Sequence, residues 1–133
     1  MMRNFLVLLP LLTFNCFAQA QQDIDFSFNG ERYSINIISN CEIYFDCDNV
    51  TGHFLDKKRN NKFQSDHGET INIGYGRNLR GFIFTQGQFM YRLEQSAEEE
   101  GVELHRWILT VIEKNKQGEE KVIFQERGDI DFL

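Results

Sequence analysis

The chain has one proline, three cysteines and a single long apolar run. Each of these low counts excludes some classes of structure or function. Its one proline, Pro10, lies in the N-terminal apolar segment. Proline therefore cannot protect the edges of any later strand, and charged residues or closure of the sheet must do so. No other apolar run approaches the roughly 20 residues that a membrane-spanning helix needs, so we expect a mature chain without a membrane span.

Sequence motifs for catalysis and for metal or phosphate binding are also missing. The chain has no Gly-x-Ser-x-Gly elbow, no C-x-x-C pair and no complete glycine-rich phosphate loop. Its three histidines, His53, His67 and His105, lack the spacing of metal ligands, and we interpret them as surface or strand residues. We expect no enzymatic activity, no cofactor and no metal.

Positive charge is in short supply as well. The sequence has 14 Lys and Arg against 20 Asp and Glu, a formal net charge of −6. Binding to a phosphate backbone depends on Lys and Arg, so a nucleic-acid partner is not expected. A cationic protein is the better partner for such a chain.

The N-terminal residues have the features of a secretory signal peptide. Arg3 precedes a short apolar run at residues 5–14, and Ala18-Gln19-Ala20 is a small-x-small cleavage site. We predict a signal peptide at residues 1–20 and one domain at residues 21–133, in the periplasm or secreted. The alternative is a lipoprotein anchored through Cys16, but Thr13, Phe14 and Asn15 do not fit that signal.

Two hairpins stand out in the mature chain. In residues 80–93, a loop at Gln86-Gly87 would place Phe84 opposite Phe89 and Phe82 opposite Tyr91, with these aromatic side chains on one face. In residues 24–37, Asn29-Gly30 lies between alternating apolar residues, which is a strong signal for a tight turn. That register would place Phe26 opposite Tyr33.

Further strands are predicted by alternation and by turn residues on both sides. Residues 102–113 could form a strand or a helix, and their β-branched content favours the strand. Gly128 would end the hairpin whose first strand is residues 102–113. In all we predict about eight short strands, and hence an all-β domain, either a small antiparallel barrel or a sandwich. The remaining predicted strands are residues 50–55, 63–66, 70–75 and 122–124, and residues 130–132 are either a last edge strand or a tail.

The two cysteines left after cleavage, Cys41 and Cys47, give conflicting signals. An exported chain meets an oxidising compartment, which favours a disulfide. The residues between them look like a strand, which would hold the two Cα atoms roughly 20 Å apart, whereas a disulfide needs less than about 7 Å. We favour the disulfide, which requires the chain to double back between them.

Several short stretches are similar to the spaced motif of small exported bacterial proteins with no assigned activity. The matching stretches are residues 47–51, Lys57-Lys58, Gly81-Phe82 and residues 88–91. The similarity implies an exported β domain and no particular chemistry. The periplasmic lysozyme inhibitors of the small β-barrel type are a second comparison. Their Ser-Gly-x-x-Tyr loop is absent here, and Gly74-Tyr75-Gly76-Arg77 is the nearest stretch.

These features give three functional hypotheses. The first is an exported module that binds another protein, such as a periplasmic inhibitor or an immunity-type protein against a toxin or cell-wall hydrolase. Its contacts would come from Glu98, Glu99 and Glu100, or from Tyr44 and Phe45 in the Cys41–Cys47 loop.

The second hypothesis is a carrier of a small apolar ligand or lipid, because a barrel lined by aromatic residues can hold one. Its pocket would be lined by Phe82, Phe84, Phe89, Tyr91 and Trp107. The third hypothesis is a structural component of the cell envelope, which predicts self-association.

Overall fold

A computed structural model describes residues 25–42, 46–72, 79–96 and 106–132. Eight β-strands account for most of these described residues. The strands are β1 (Phe26–Gly30), β2 (Tyr33–Ser39), β3 (Val50–Asp56), β4 (Asn61–Asn72), β5 (Leu79–Gln86), β6 (Phe89–Gln95), β7 (Arg106–Lys114) and β8 (Glu120–Phe132). The all-β prediction is confirmed, and residues 106–114 form a strand. The predicted signal peptide lies outside the described residues.

The strands form a closed barrel in which each strand pairs antiparallel with the next along the chain. The barrel closes where β8 pairs with β1, with Phe28 opposite Ile130 and Gly30 opposite Gly128. Of the two predicted architectures the chain therefore adopts the barrel. Closure pairs the first strand with the last, so it covers most of the edge that proline does not protect in this chain.

Aromatic side chains fill the interior. Alternation places Phe26 and Phe28 of β1 inside, with Ser27 between them on the outer face. The rings pack against one another, with Phe54 perpendicular to Phe84 at 5.3 Å and stacked on Phe63 at 4.7 Å between ring centroids. The most deeply buried large side chains are Phe28, Ile35, Ile37, Phe82, Phe84, Leu93 and Leu109.

The central hairpin has the predicted strands but a different register. Phe84 lies opposite Tyr91 and Phe82 opposite Leu93, so the predicted pairs with Phe89 and Tyr91 are wrong. The turn is Gly87-Gln88, where Gly87 has a φ of 60°, as the first central position of a type II′ turn requires. When the turn moves by one residue, each residue pairs with the one two positions further along the opposite strand. The side chains that point inward are therefore the same as predicted.

The first hairpin also differs in register. Phe28 lies opposite Ile35 and Phe26 opposite Ile37, so the predicted pair of Phe26 and Tyr33 is wrong. The turn lies at Glu31-Arg32, beyond the Asn29-Gly30 signal. Gly30 instead makes a close contact, because a Cβ there would collide with the carboxylate of Glu126 unless that side chain moved.

Two predicted boundaries are absent from the structure. Residues 63–66 and 70–72, which were predicted in separate strands, belong to one strand, β4, which bends at a bulge. Residues 73–75 of the second predicted strand lie outside the described residues. His67 lies in that bulge with a φ of 64°, and such a bulge bends a strand without ending it. Gly128 does not end β8, which continues to Phe132 and pairs there with β1.

The predicted disulfide between Cys41 and Cys47 is confirmed. Their Cα atoms lie 5.9 Å apart, so the chain does double back between them. Cys47 is buried against the core and Cys41 is exposed. The apolar residues of this loop, at positions 43–45, lie outside the described residues.

Candidate functional site

The barrel has two different ends. The turn end carries the connections β1–β2, β3–β4, β5–β6 and β7–β8, which are short turns. The disulfide end is the opposite one, where β2, β4 and β6 finish and β3, β5 and β7 begin. It carries the Cys41–Cys47 disulfide. Polar residues are arranged differently at the two ends, so each is considered as a candidate site.

A buried ion pair lies at the turn end. The guanidinium of Arg32 donates to both carboxylate oxygens of Asp56, at 3.1 and 3.0 Å. The same guanidinium lies over the rings of Tyr33 and Phe124, 5.1 and 4.9 Å from their centroids. Two-point contact with a carboxylate and stacking on aromatic rings are the geometries for which arginine is suited.

The pKa values of this cluster follow from these contacts. The hydrogen bond from Arg32 lowers the pKa of Asp56, and the same bond raises the pKa of Arg32. Burial raises the pKa of Tyr33, and it raises the pKa of Tyr91 to about 12. At neutral pH the ion pair is therefore charged and both tyrosines are neutral.

Glu126 of β8 joins this cluster to the first turn. Its carboxylate accepts hydrogen bonds from the backbone N–H groups of Arg32, at 2.9 Å, and Tyr33, at 2.8 Å. Lys57 binds the other side of the turn by donating to the carbonyl oxygen of Gly30 at 2.7 Å. Arg32 and Asp56 are thus paired with each other, and Glu126 and Lys57 bind the backbone of the first turn, so we interpret the cluster as a closure of the barrel.

The disulfide end is held together by a different set of hydrogen bonds. The N–H of Cys47 donates to the hydroxyl of Thr70 at 3.0 Å, and the N–H of Thr70 donates to the carbonyl of Cys47 at 2.9 Å. Asp25 accepts from the N–H and hydroxyl of Ser39, at 2.8 and 2.7 Å. Cys47 is therefore anchored to β4 through Thr70.

Charge is segregated between the two ends. Among the described residues within two positions of a strand end or in a connection, the turn end has eight cations and five acids. The disulfide end has six acids and two arginines. The cations of the turn end are Arg32, Lys57, Lys58, Arg59, Lys62, Lys114, Lys116 and Lys121. The acids of the disulfide end are Asp25, Glu42, Asp46, Asp48, Glu94 and Asp131.

The residues predicted to contact a partner are only partly described. Cys41 and Cys47 lie at the disulfide end, next to the exposed acids Asp46 and Asp48. The predicted contact residues Glu98, Glu99, Glu100, Tyr44 and Phe45 lie outside the described residues. Their segments connect β6 to β7 and β2 to β3, the pairs of strands that meet at the disulfide end.

The residues predicted to line an apolar pocket are placed in the core, with one exception. Phe82, Phe84, Tyr91 and Trp107 are at most 7% exposed. The ring of Phe82 stacks on those of Phe84 and Trp107, at 6.2 and 6.5 Å between centroids. Phe89 is half-buried at the start of β6. Four of the five predicted pocket residues are thus part of the buried core.

Sequence reasoning missed the cluster of Arg32, Asp56 and Glu126. A signal was present, because Asp56 and Glu126 interrupt the run of apolar residues at inward-facing positions of β3 and β8. Within the described residues no group of three or more His, Cys, Asp and Glu side chains could hold a metal ion. Across the same residues, the structure contains no helix long and apolar enough to cross a membrane.

The chain was compared with known families, proteins and structures. No family model, no curated protein and no solved structure matches it.

Proposed function

We propose that this chain is an exported module that binds a cationic protein through its disulfide end and carries out no reaction of its own. The partner class that fits is a secreted toxin or a cell-wall hydrolase, which the module would inhibit. The observation that carries the proposal is the segregation of charge, with the acidic surplus gathered at the disulfide end.

The construction of that end supports the proposal. Binding is tighter when the contact surface is already ordered in the unbound protein, because less conformational entropy is lost. The disulfide and the two hydrogen bonds between Cys47 and Thr70 hold the backbone beside Asp46 and Asp48. The two carboxylates are exposed and stand on either side of Cys47, whose backbone these bonds hold.

The interior of the barrel supports binding at the surface rather than inside. The rings of Phe54, Phe84 and Tyr91 lie 4.9 to 5.3 Å apart and are buried. A ligand carried inside would have to displace these buried side chains. The acidic end faces solvent and needs no such rearrangement.

Electrostatic attraction makes the proposal testable. Complementary charge mainly accelerates encounter, and salt screens it over about 8 Å at physiological ionic strength. We expect residues 21–133, purified as the mature chain, to bind a cationic lysozyme-type hydrolase and to reduce its lytic activity. The association rate constant, measured by surface plasmon resonance, should fall as salt is added.

Charge reversal at the two ends gives a matched comparison. The variant Asp46→Lys with Asp48→Lys should associate at least tenfold more slowly than the wild type. The control, Glu31→Lys with Glu120→Lys, changes the net charge equally at exposed positions at the turn end. It should have a much smaller effect.

Two results would count against the proposal. Equal losses in both double variants would show that net charge alone matters. An apolar molecule retained in native mass spectrometry, together with no binding to any hydrolase of the host or its neighbours, would favour a carrier instead.

A further inference from the structure

A cleft lies on the outer surface of the barrel at the turn end, between two neighbouring hairpins. Its volume is about 520 Å³, which is within the range of ligand pockets. One wall is the β5–β6 turn at Gly87-Gln88, and the other is the start of the β7–β8 connection at Asn115-Lys116. We call this feature the turn cleft. All the residues that line it belong to the described parts of the chain.

Apolar side chains form the floor of the turn cleft. Met90 of β6 lies opposite Ile112 of β7, and Ile112 lies opposite Val122 of β8. These three side chains are on the outer face, because the neighbouring Tyr91 and Val111 point inward. Half-buried Met90 and buried Ile112 line the cleft, and Val122, which is 57% exposed, continues the row beyond it. Apolar surface with a polar rim is typical of a binding site.

The rim of the turn cleft carries two lysines that pair with no carboxylate in the residues the structure describes. Lys114 and Lys116 are exposed and line the cleft, and neither forms an ion pair. Glu113 and Glu119, which flank lining residues in the sequence, accept hydrogen bonds from amide side chains at 3.3 and 3.2 Å. The two ammonium groups are therefore free to bind an anion.

Hydrogen bonds hold both walls of the turn cleft. The N–H of Lys114 donates to the carbonyl oxygen of Gln88 at 2.8 Å, which joins one hairpin to the other. The side-chain oxygen of Asn115 accepts from the N–H groups of Gln117, at 3.0 Å, and Glu119, at 2.8 Å. The backbone around the cleft is thus ordered in the unbound protein, and an ordered site loses less conformational entropy when a ligand binds.

The charge of the rim indicates the kind of anion. Glu120 also lines the turn cleft, so two lysines and one glutamate give the rim a net charge of +1. A singly charged carboxylate balances this charge, whereas a doubly charged phosphate monoester exceeds it. The apolar floor next to the lysines favours a carboxylate that carries an alkyl chain, because burial of the chain removes apolar surface from water.

We propose that the turn cleft binds the anion of a medium-chain carboxylic acid. The alkyl chain would lie on Met90 and Ile112 and extend toward Val122. The carboxylate would accept hydrogen bonds from Lys114 and Lys116. The ligand would stay outside the aromatic core, and the disulfide end would remain open to its cationic partner. The inference therefore goes beyond the proposed function and does not depend on it.

Octanoate and octanol are matched ligands for a test, because they share an alkyl chain and differ in charge. Titration of the mature chain, residues 21–133, with each ligand and detection of the amide resonances by NMR measure the affinity and locate the site. We expect octanoate to shift the resonances of residues 87–90 and 112–116. It should bind about fivefold or more tightly than octanol, because two exposed ion pairs form. Acetate, which lacks the chain, should bind no better than octanol.

Two double variants separate the rim from the net charge. Lys114→Gln with Lys116→Gln should bind octanoate and octanol with dissociation constants within about twofold of each other. The control, Lys58→Gln with Lys62→Gln, removes the same charge at exposed positions on the β3–β4 hairpin of the same end. It should keep the wild-type preference for octanoate.

The variant Met90→Asn tests the floor of the turn cleft. It should weaken the binding of octanoate and octanol alike, by about threefold or more, because both lose the same apolar contact. Far-UV circular dichroism checks that this variant and the lysine variants keep the fold.

A wild type that shows no shifts at the turn cleft, or that binds octanol as tightly as octanoate, would overturn the proposal. Equal losses in the two lysine double variants would do the same. Tighter binding of octyl phosphate than of octanoate would contradict the assignment of a carboxylate. The proposal can fail separately from the proposed function, because Asp46→Lys with Asp48→Lys should bind octanoate normally while it loses its cationic partner.

Discussion

The carboxylate of Glu126 occupies the space in which a side chain on Gly30 would begin. An ideal Cβ on Gly30 would collide with Oε1 of Glu126 and lie 2.6 Å from its Cδ atom. The same carboxylate accepts two backbone hydrogen bonds from the turn that follows Gly30. One side chain from the last strand thus holds the first turn, and it reaches that turn only because position 30 has no side chain.

Gly30→Ala should therefore lower the free energy of unfolding. The new methyl group forces the Glu126 carboxylate away from the N–H groups of Arg32 and Tyr33, and buried donors without a partner are costly. We expect a loss of about 1–3 kcal/mol, measured by urea denaturation.

A double-mutant cycle with Glu126→Ala isolates the contact. Glu126→Ala alone should destabilise by a similar amount, since it removes the acceptor. The double variant should lose clearly less than the sum of the two single losses, because the collision has no partner left. Simple additivity would mean that Gly30 matters for another reason.

The ion pair of Arg32 and Asp56 should make stability depend on acid. The folded-state pKa of Asp56 is lowered, so its contribution is complete above the unfolded pKa, near 4. The contribution is lost as pH falls through the lower folded-state pKa. Asp56→Asn should cost about 1–3 kcal/mol at pH 7, and the difference from the wild type should shrink below about pH 4.

Urea denaturation at a series of pH values checks the Asp56 prediction. Asp131→Asn, at an exposed position on β8, is the control and should differ little from the wild type. A gap between Asp56→Asn and the wild type that stays constant from pH 7 to strong acid would contradict the assignment.

Tyr91 should make the protein sensitive to alkali. Burial raises its pKa from 10.0 to about 12, so the folded state favours the neutral phenol. This stabilisation is complete below pH 10 and is lost as pH rises from about 10 to about 12. The loss should reach about 3 kcal/mol, and it should be absent in Tyr91→Phe.

Urea denaturation of the wild type and of Tyr91→Phe, at pH 9 and at several higher pH values, measures whether only the wild type loses stability in alkali. Burial also raises the pKa of Tyr33, so Tyr33→Phe should change the alkaline response in the same direction. If Tyr91→Phe shows the same alkaline loss as the wild type, Tyr91 is not the responsible group.

Two glycines next to Phe84 should respond differently to the same substitution. A Cβ on Gly52 would lie 2.7 Å from the ring of Phe54 and 2.9 Å from that of Phe84. A Cβ on Gly68 would also lie 2.8 Å from the backbone oxygen of Val50. Each Gly→Ala change should cost about 1–3 kcal/mol by overpacking.

A smaller side chain at position 84 distinguishes the two glycines. Phe84→Leu should partly rescue Gly52→Ala, since every close contact there is with a side chain that can move or shrink. It should rescue Gly68→Ala much less, because the backbone contact remains. Thermal denaturation of the two double variants, each compared with its single variants, measures the difference.

The faces of the strands could be predicted from the sequence more securely than their pairing. Alternation in residues 82–84 and 89–91 predicts which side chains point inward, and the structure agrees, although the turn lies at Gly87-Gln88. A turn displaced by one residue changes the partner of every residue and preserves its face. The pairing of residues across the hairpin depends on which two residues form the turn.

The misplaced first turn shows why a local signal can fail. Asn29-Gly30 is a strong turn signal when glycine is needed for a positive φ. Here glycine is needed for the approach of Glu126, which is 96 positions away in the sequence. Nothing within residues 24–37 reveals that contact.

The buried polar cluster could not be predicted for the same reason. Arg32, Asp56 and Glu126 come from the first turn, β3 and β8, and they meet because the barrel closes. The disulfide could be predicted, because residues 21–133 contain only two cysteines and the export expected from the sequence favours their oxidation. The features that could be predicted depend on residues close together in the sequence, as strand faces do, or on a choice among few alternatives, as the pairing of two cysteines does.

The seam between β1 and β8 has a consequence for the order of assembly. Every other neighbouring pair of strands is joined by a short connection and can form as the chain emerges. The seam joins the first strand to the last, so it cannot form until Phe132 has been synthesised. Until then β1 and β7 each present an uncovered flank, and a nascent or truncated chain would depend on chaperones or rapid completion to avoid aggregation.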